Sequence, residues 1–223
     1  MRKLLVLFVP LVLLIIFSQA VNIPVSSSQA EALTVVIDAG HGGIDGGVVG
    51  SLNVKEADIN LEVSKKLKTL FEGAGIAVVM TRSTPQGLYG AMSKGFKLRD
   101  LAERVKITNS SNANMFISVH MNKFSDSSRR GAQVFYKIDD SESKKVATYL
   151  QKSFNKMEEA TRECQILMGD YYVLNGANIP AVICECGFIS NREEEALLVT
   201  SEYQDKIAYA IFEGTINYLI ELD

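Results

Sequence analysis

Four side chains in this 223-residue sequence are unusual for their surroundings. His41 sits inside a glycine-rich run, IDAGHGGIDGG, that follows a short apolar stretch. His120 closes the apolar segment MFISVH, and Glu185 interrupts the apolar run AVICEC. Glu56, in NVKEADINLEV, opens an amphipathic segment. Singly, each has a plain explanation. A histidine at a strand end is ordinary, Glu185 has Arg82 or Arg104 as a possible ion-pair partner, and Glu56 suits the dipole of a first helical turn. Jointly, they are the parts of a catalytic zinc centre. Two neutral imidazoles and a carboxylate bind the ion and leave a fourth position for water. A second carboxylate then takes the proton from that water. The only two histidines of the chain and two well-placed glutamates meet that need.

Residues so far apart meet only if the fold brings them to one edge. Thr34 to Asp38 (TVVID) is a strand that runs into the glycine loop. From Glu56, apolar residues at Ile59, Val63, Leu67, Leu70 and Phe71 have helical spacing, which Gly73 or Gly75 ends. Ile76 to Thr81 is a second strand, and residues 83–97, with Pro85, Gly87, Gly90 and Gly95, form a long surface loop. A helix over Leu98–Thr108, strands over 115–120 and 131–138, and a helix over 141–157 follow. Residues 171–174 and 181–186 are two further strands, and helices over 193–198 and 204–222 finish the chain. This alternation implies an α/β three-layer sandwich with a mostly parallel sheet of about six strands flanked by helices. The C-terminal ends of parallel strands share one edge, where ligands bind. His41, His120 and Glu185 all stand at such ends, and Glu56 starts a helix on the same edge.

Composition narrows the setting. Apolar content of 47% and charged content of 22% are those of a packed globular domain. Residues 1–30 differ: Arg2 and Lys3 precede an unbroken apolar run from Leu4 to Phe17, and Ser18-Gln19-Ala20 supplies small residues for cleavage. This segment is a signal peptide or a membrane-anchoring leader, and either places residues 31–223, the catalytic domain, outside the cytoplasmic membrane. Without residues 1–30 the net charge moves from −3 to −5, because only Arg2 and Lys3 are lost. An acidic domain is a poor partner for nucleic acid. Three cysteines, Cys164, Cys184 and Cys186, make no disulfide framework.

The stretches IDAGHGG, KEADINL, FISVHMN and PAVICECGFISN, in this order, resemble the zinc-dependent N-acetylmuramoyl-L-alanine amidases of bacterial cell walls. The resemblance spans residues 34–220. It implies that His41, Glu56 and His120 bind Zn2+ and that Glu185 is catalytic. The implied reaction cuts the amide between the lactyl group of N-acetylmuramic acid and L-alanine in peptidoglycan. The glycines would let the His41 loop bend back and leave room for a glycan. Asp38 and Asn122 flank the ligands, either to orient them or only to satisfy backbone groups.

Within that resemblance, the germination-specific amidases of the spore cortex are the nearest type, acting on the route to muramic-δ-lactam. The 83–97 loop is long for the family, and Cys184 and Cys186 replace small or apolar residues. An acidic domain on an anionic wall implies a tether, or an accessory protein at the membrane. Other readings stay open: a zinc peptidase on wall peptides, or a non-catalytic wall-binding relative. A nucleotide-binding reading lacks a P-loop lysine and the last glycine of G-x-G-x-x-G. A cysteine hydrolase is disfavoured because Cys184 and Cys186 alternate with Glu185 and so point away from it.

Overall fold

The computed structural model describes residues 33–222; the expected leader, residues 1–30, lies outside them. Runs rich in β-branched and other apolar residues, such as TVVIDA and MFISVHMN, pair into one sheet. Its strands are β1 (Thr34–Ala39), β2 (Ala77–Met80), β3 (Met115–Asn122), β4 (Gln133–Lys137), β5 (Leu167–Gly169) and β6 (Ala181–Phe188). Their order is β2-β1-β3-β6-β4-β5. β2, β1, β3 and β6 run parallel, and β4 turns antiparallel against β6 with β5 parallel to it. The mostly parallel six-stranded sheet expected from the sequence is therefore present.

Helices cover both faces. On one lie α1 (Glu56–Gly73), α3 (Ser141–Asn155) and α6 (Ser201–Leu222), whose Val63, Leu67, Leu150 and Ile211 pack on Val35, Ile117 and Val182. On the other lie α2 (Phe96–Ser110) and the short α4 (Tyr172–Gly176), packed on Val36, Phe116 and Ile183. A further short helix, α5 (Arg192–Leu198), follows β6. The spacing of α1 is that read from the sequence, and the chain leaves it through Gly75 at φ 78°. Asp140 caps α3 by accepting from the backbone N–H of Ser143 at 2.7 Å.

One element differs from expectation. Residues 171–174 open α4, and the fifth strand is Leu167–Gly169 instead. The physical reason is that neighbours Val173 and Leu174 enter the same apolar cluster. Successive strand side chains point to opposite faces, so only a helical turn buries both together.

The same period of two sorts the site. Asp38 shares its face with Val36; Ser118 and His120 share theirs with Phe116; Glu185 shares its face with Ile183. All four therefore belong to the face that α2 and α4 cover, and Tyr172 and Val173 of α4 line the same cleft as His120 and Glu185. Cys184 and Cys186 point into the opposite core and are buried free thiols, as is Cys164.

Candidate metal centre

His120 and Glu185 are direct partners across the β3–β6 pair. Glu56 enters from the first turn of α1, and His41 arrives on the loop after β1. His41 Nε2 lies 3.3 Å from Glu56 Oε1, and His120 Nδ1 lies 3.0 Å from the same oxygen. One ligand atom from each of His41, Glu56 and His120 falls within 4.8 Å of the others. The two imidazole rings meet edge to face, 5.0 Å between centroids. Glu185 lines the same cleft of about 340 Å³, and its Oε2 is buried with no hydrogen-bond partner. All four residues singled out in the sequence are thus in one place. Arg82 and Arg104, the possible partners of Glu185, are engaged elsewhere.

The glycine loop is built around these side chains. A Cβ at Gly40 would collide with the His120 ring, and one at Gly47 would stand 2.8 Å from His41 Cδ2. At these two positions the missing side chains make room for the His120, His41 and Glu56 side chains. His41 itself adopts φ 61°, an uncommon conformation for a residue with a Cβ. Two buried arginines hold it there. Arg82 donates to the carbonyls of Ala39 at 2.8 Å, Gly40 at 2.9 Å and Ala57 at 2.8 Å. Arg104 donates to the carbonyls of Ala39 at 2.8 Å and His41 at 2.6 Å. Arg104 also pairs with Asp38 and Asp100, each at 2.5 Å. Asp38 further accepts from Thr81 and Ser118, both at 2.6 Å. Asp38 therefore acts on the ligand loop through Arg104.

Residues 35–217 match the family described as N-acetylmuramoyl-L-alanine amidase. The chain belongs to that family. The germination-specific N-acetylmuramoyl-L-alanine amidase of Bacillus subtilis (strain 168) is 37% identical over 191 residues, 84% of this chain and 80% of that protein. N-acetylmuramoyl-L-alanine amidase AmiA of Escherichia coli (strain K12) is 28% identical over 239 residues, 87% of this chain and 79% of that protein. Among solved structures, the CwlD amidase from Clostridioides difficile in complex with the GerS lipoprotein aligns with a TM-score of 0.82 at 38% identity. That alignment covers 86% of this chain and 100% of that one. This amidase cleaves the bond between N-acetylmuramic acid and L-alanine in the cell wall. Its family is metal-dependent, and the His41, Glu56 and His120 group can hold a metal ion.

The donor chemistry of the amidase fits such an ion. Burial works to raise the Glu56 carboxyl, but hydrogen bonds and charge from His120 and His41 outweigh it and hold it well below the usual range. Glu56 is thus an anion. Its Oε2 accepts from the Val48 N–H at 2.9 Å, and its Oε1 from the Met121 N–H at 3.2 Å and from Asn60 at 3.3 Å. Burial works to lower His41, yet Glu56 and Asp45 together hold it above its ordinary value. A proton there occupies the place a cation would take. His41 Nδ1 faces Asp45 Oδ2 at 3.1 Å, which directs the other nitrogen toward Glu56. Burial pushes Glu185 up to about 7. A bound cation would favour its ionised, proton-accepting form.

Sequence reasoning missed three supports. The roles of Arg82 and Arg104 were not foreseen, nor was the contact of Asp45 with His41. The 83–97 stretch, expected as a long surface loop, also braces the His41 loop. Gly43 donates to the Pro85 carbonyl at 2.7 Å, Ile44 donates to the Tyr89 hydroxyl at 2.9 Å, and Lys97 pairs with Asp45 at 3.2 Å. The last residues of that stretch, from Phe96, already belong to α2. Asn122 lines the cleft, and its carbonyl accepts from the Ile189 N–H at 2.9 Å.

Proposed function

We propose that this amidase is a zinc enzyme of the spore cortex, acting on the route to muramic-δ-lactam, with His41, Glu56 and His120 as ligands and Glu185 as catalytic base. The observation that carries this reading is the convergence of three donor atoms beside a buried, unpartnered carboxylate oxygen. Two imidazoles and one carboxylate, without a thiolate, are a donor set of hydrolytic zinc sites. The ion, when bound, supplies Lewis acidity that activates water and polarises the scissile carbonyl. Glu56 contributes the one negative charge among the ligands and is held by three N–H donors, so it cannot swing away. Asp45 keeps a proton on His41 Nδ1 and leaves Nε2 as the donor. Glu185 Oε2, which no protein group engages, accepts the proton of the attacking water and passes it to the departing amine of L-alanine.

The cortex assignment rests on the germination-specific relative. Export through the 1–30 leader and action of residues 31–223 outside the membrane belong to the same proposal. Among the described residues no helix is long and apolar enough to cross a membrane. An accessory protein at the membrane is also proposed, supported by the lipoprotein complex of the CwlD amidase. The test is metal analysis of the purified protein with digestion of defined cortex peptidoglycan, read by mass spectrometry. One zinc per chain, lost in His41→Ala and His120→Ala, and stem peptides released with a free L-alanine amine are expected. Cleavage between two amino acids would identify a wall peptidase instead, and retention of zinc in both variants would refute the ligand set.

A further inference from the structure

The cleft that Glu185 lines extends to the end of β3, where Asn122 and Lys123 line it together with Tyr171 and Tyr172. Lys123 opens a basic loop, KFSDSSRR, in an otherwise acidic domain. The other two cations of that loop are occupied. Arg130 pairs with Glu193 at 2.9 Å, and the Arg129 guanidinium lies over the Phe124 ring, 4.8 Å from its centroid. Lys123 alone of the three has no hydrogen bond, ion pair or ring contact among the described residues. It is also the one permanent cation lining the cleft, whose other charged groups are the ligand cluster and Glu185. An unpaired cation on the wall of that cleft is placed to meet an anion that arrives with the substrate.

The substrate limits where that anion is. The lactyl carboxyl of N-acetylmuramic acid is tied up in the scissile amide, so the saccharide side of the bond carries no charge close to the reaction. Carboxylates lie on the stem peptide, beginning with the α-carboxylate of a γ-linked acidic residue after L-alanine. Two extended residues reach about 7 Å from the scissile carbonyl. Lys123 stands three residues beyond His120, about 10 Å along the strand direction, and its flexible stem shortens that gap. We propose that Lys123 is a specificity-determining residue that binds the free carboxylate of the stem-peptide residue following L-alanine. The peptide arm then runs over the end of β3 toward the 123–130 loop. Stems in which that carboxylate is amidated are poorer substrates. This inference rests on the amidase reading of the same cleft.

The test compares two soluble muropeptides that differ only in the residue after L-alanine, free acid against amide, using the full zinc-loaded enzyme. Cleavage by the wild-type enzyme checks the amidase reading itself, so the two ideas fail separately. For Lys123→Met, KM on the free acid should rise about three- to tenfold, in the range of a partly exposed charge-assisted contact. KM on the amide should change less than about twofold, with kcat nearly constant on both. Lys123→Arg should keep the preference, and added salt should weaken it in the wild type. Equal loss on both substrates would make Lys123 merely structural and overturn the proposal. So would an unchanged preference, or an effect confined to kcat or to inhibition by the released lactyl acid.

Discussion

Replacing Arg104 with methionine removes the guanidinium that joins β1, α2 and the His41 loop. Arg104 is 2% exposed, and Asp38, its partner at 2.5 Å, is 1% exposed. The variant loses two ion pairs and the donors to the Ala39 and His41 carbonyls. Thr81 and Ser118 still donate to Asp38, but its charge is then uncompensated. Removing one partner of a buried pair costs about 3–5 kcal/mol, a large part of a total stability of about 5–15 kcal/mol. Urea unfolding of the metal-free protein at pH 7 reads this without linkage to zinc.

Adding Asp38→Asn takes away the stranded charge and should restore about 1–3 kcal/mol. The pH dependence has a definite sign. Burial works to raise Asp38, but Arg104, Ser118 and Thr81 hold it below 3.8. Its stabilising contribution is therefore complete above about pH 4 and is lost as pH falls through the lower folded value. Without Arg104, burial dominates, and ionisation of Asp38 then opposes folding as pH rises. The deficit of Arg104→Met should be largest at neutral pH and narrow in acid. A loss below about 1 kcal/mol, or a double variant no more stable than Arg104→Met, would refute the reasoning.

Glu185→Ala should keep its zinc and lose a factor of about 10² to 10⁴ in kcat; a drop of less than about tenfold on soluble muropeptide would remove Glu185 from the proton transfer. Asp45→Asn should weaken zinc binding about 10- to 100-fold in a chelator competition, with unchanged secondary structure by circular dichroism, and unaltered affinity would show that the contact with His41 has no bearing on the metal. Lys97→Met, which removes the exposed partner of Asp45, should shift the same affinity by less than Asp45→Asn does, and a larger shift would assign the main control to the loop.

Much of this protein can be read along the chain, because strand and helix periods are local. Ile59, Val63, Leu67 and Phe71 mark the buried face of α1, and the alternation in AVICEC separates Glu185 from its cysteines before any coordinates are known. His41 is legible as a histidine just past a strand, His120 as one closing a strand and Glu185 as a charge inside an apolar run, and parallel strands bring such positions to one edge. The pattern fails where a residue's partner lies on another element. Arg82 and Arg104 look like ordinary charges after a strand and on a helix, and nothing nearby in sequence says that both turn inward to the carbonyls of residues 39–41. The 83–97 loop shows its glycines and proline, but not its grip on Gly43 and Ile44. In YYVL, strand-forming residues lose to the burial of Val173 and Leu174 on one side. Periodicity determines which face a side chain occupies. Which group it meets there depends on how separate elements pack, and only the tertiary structure decides that.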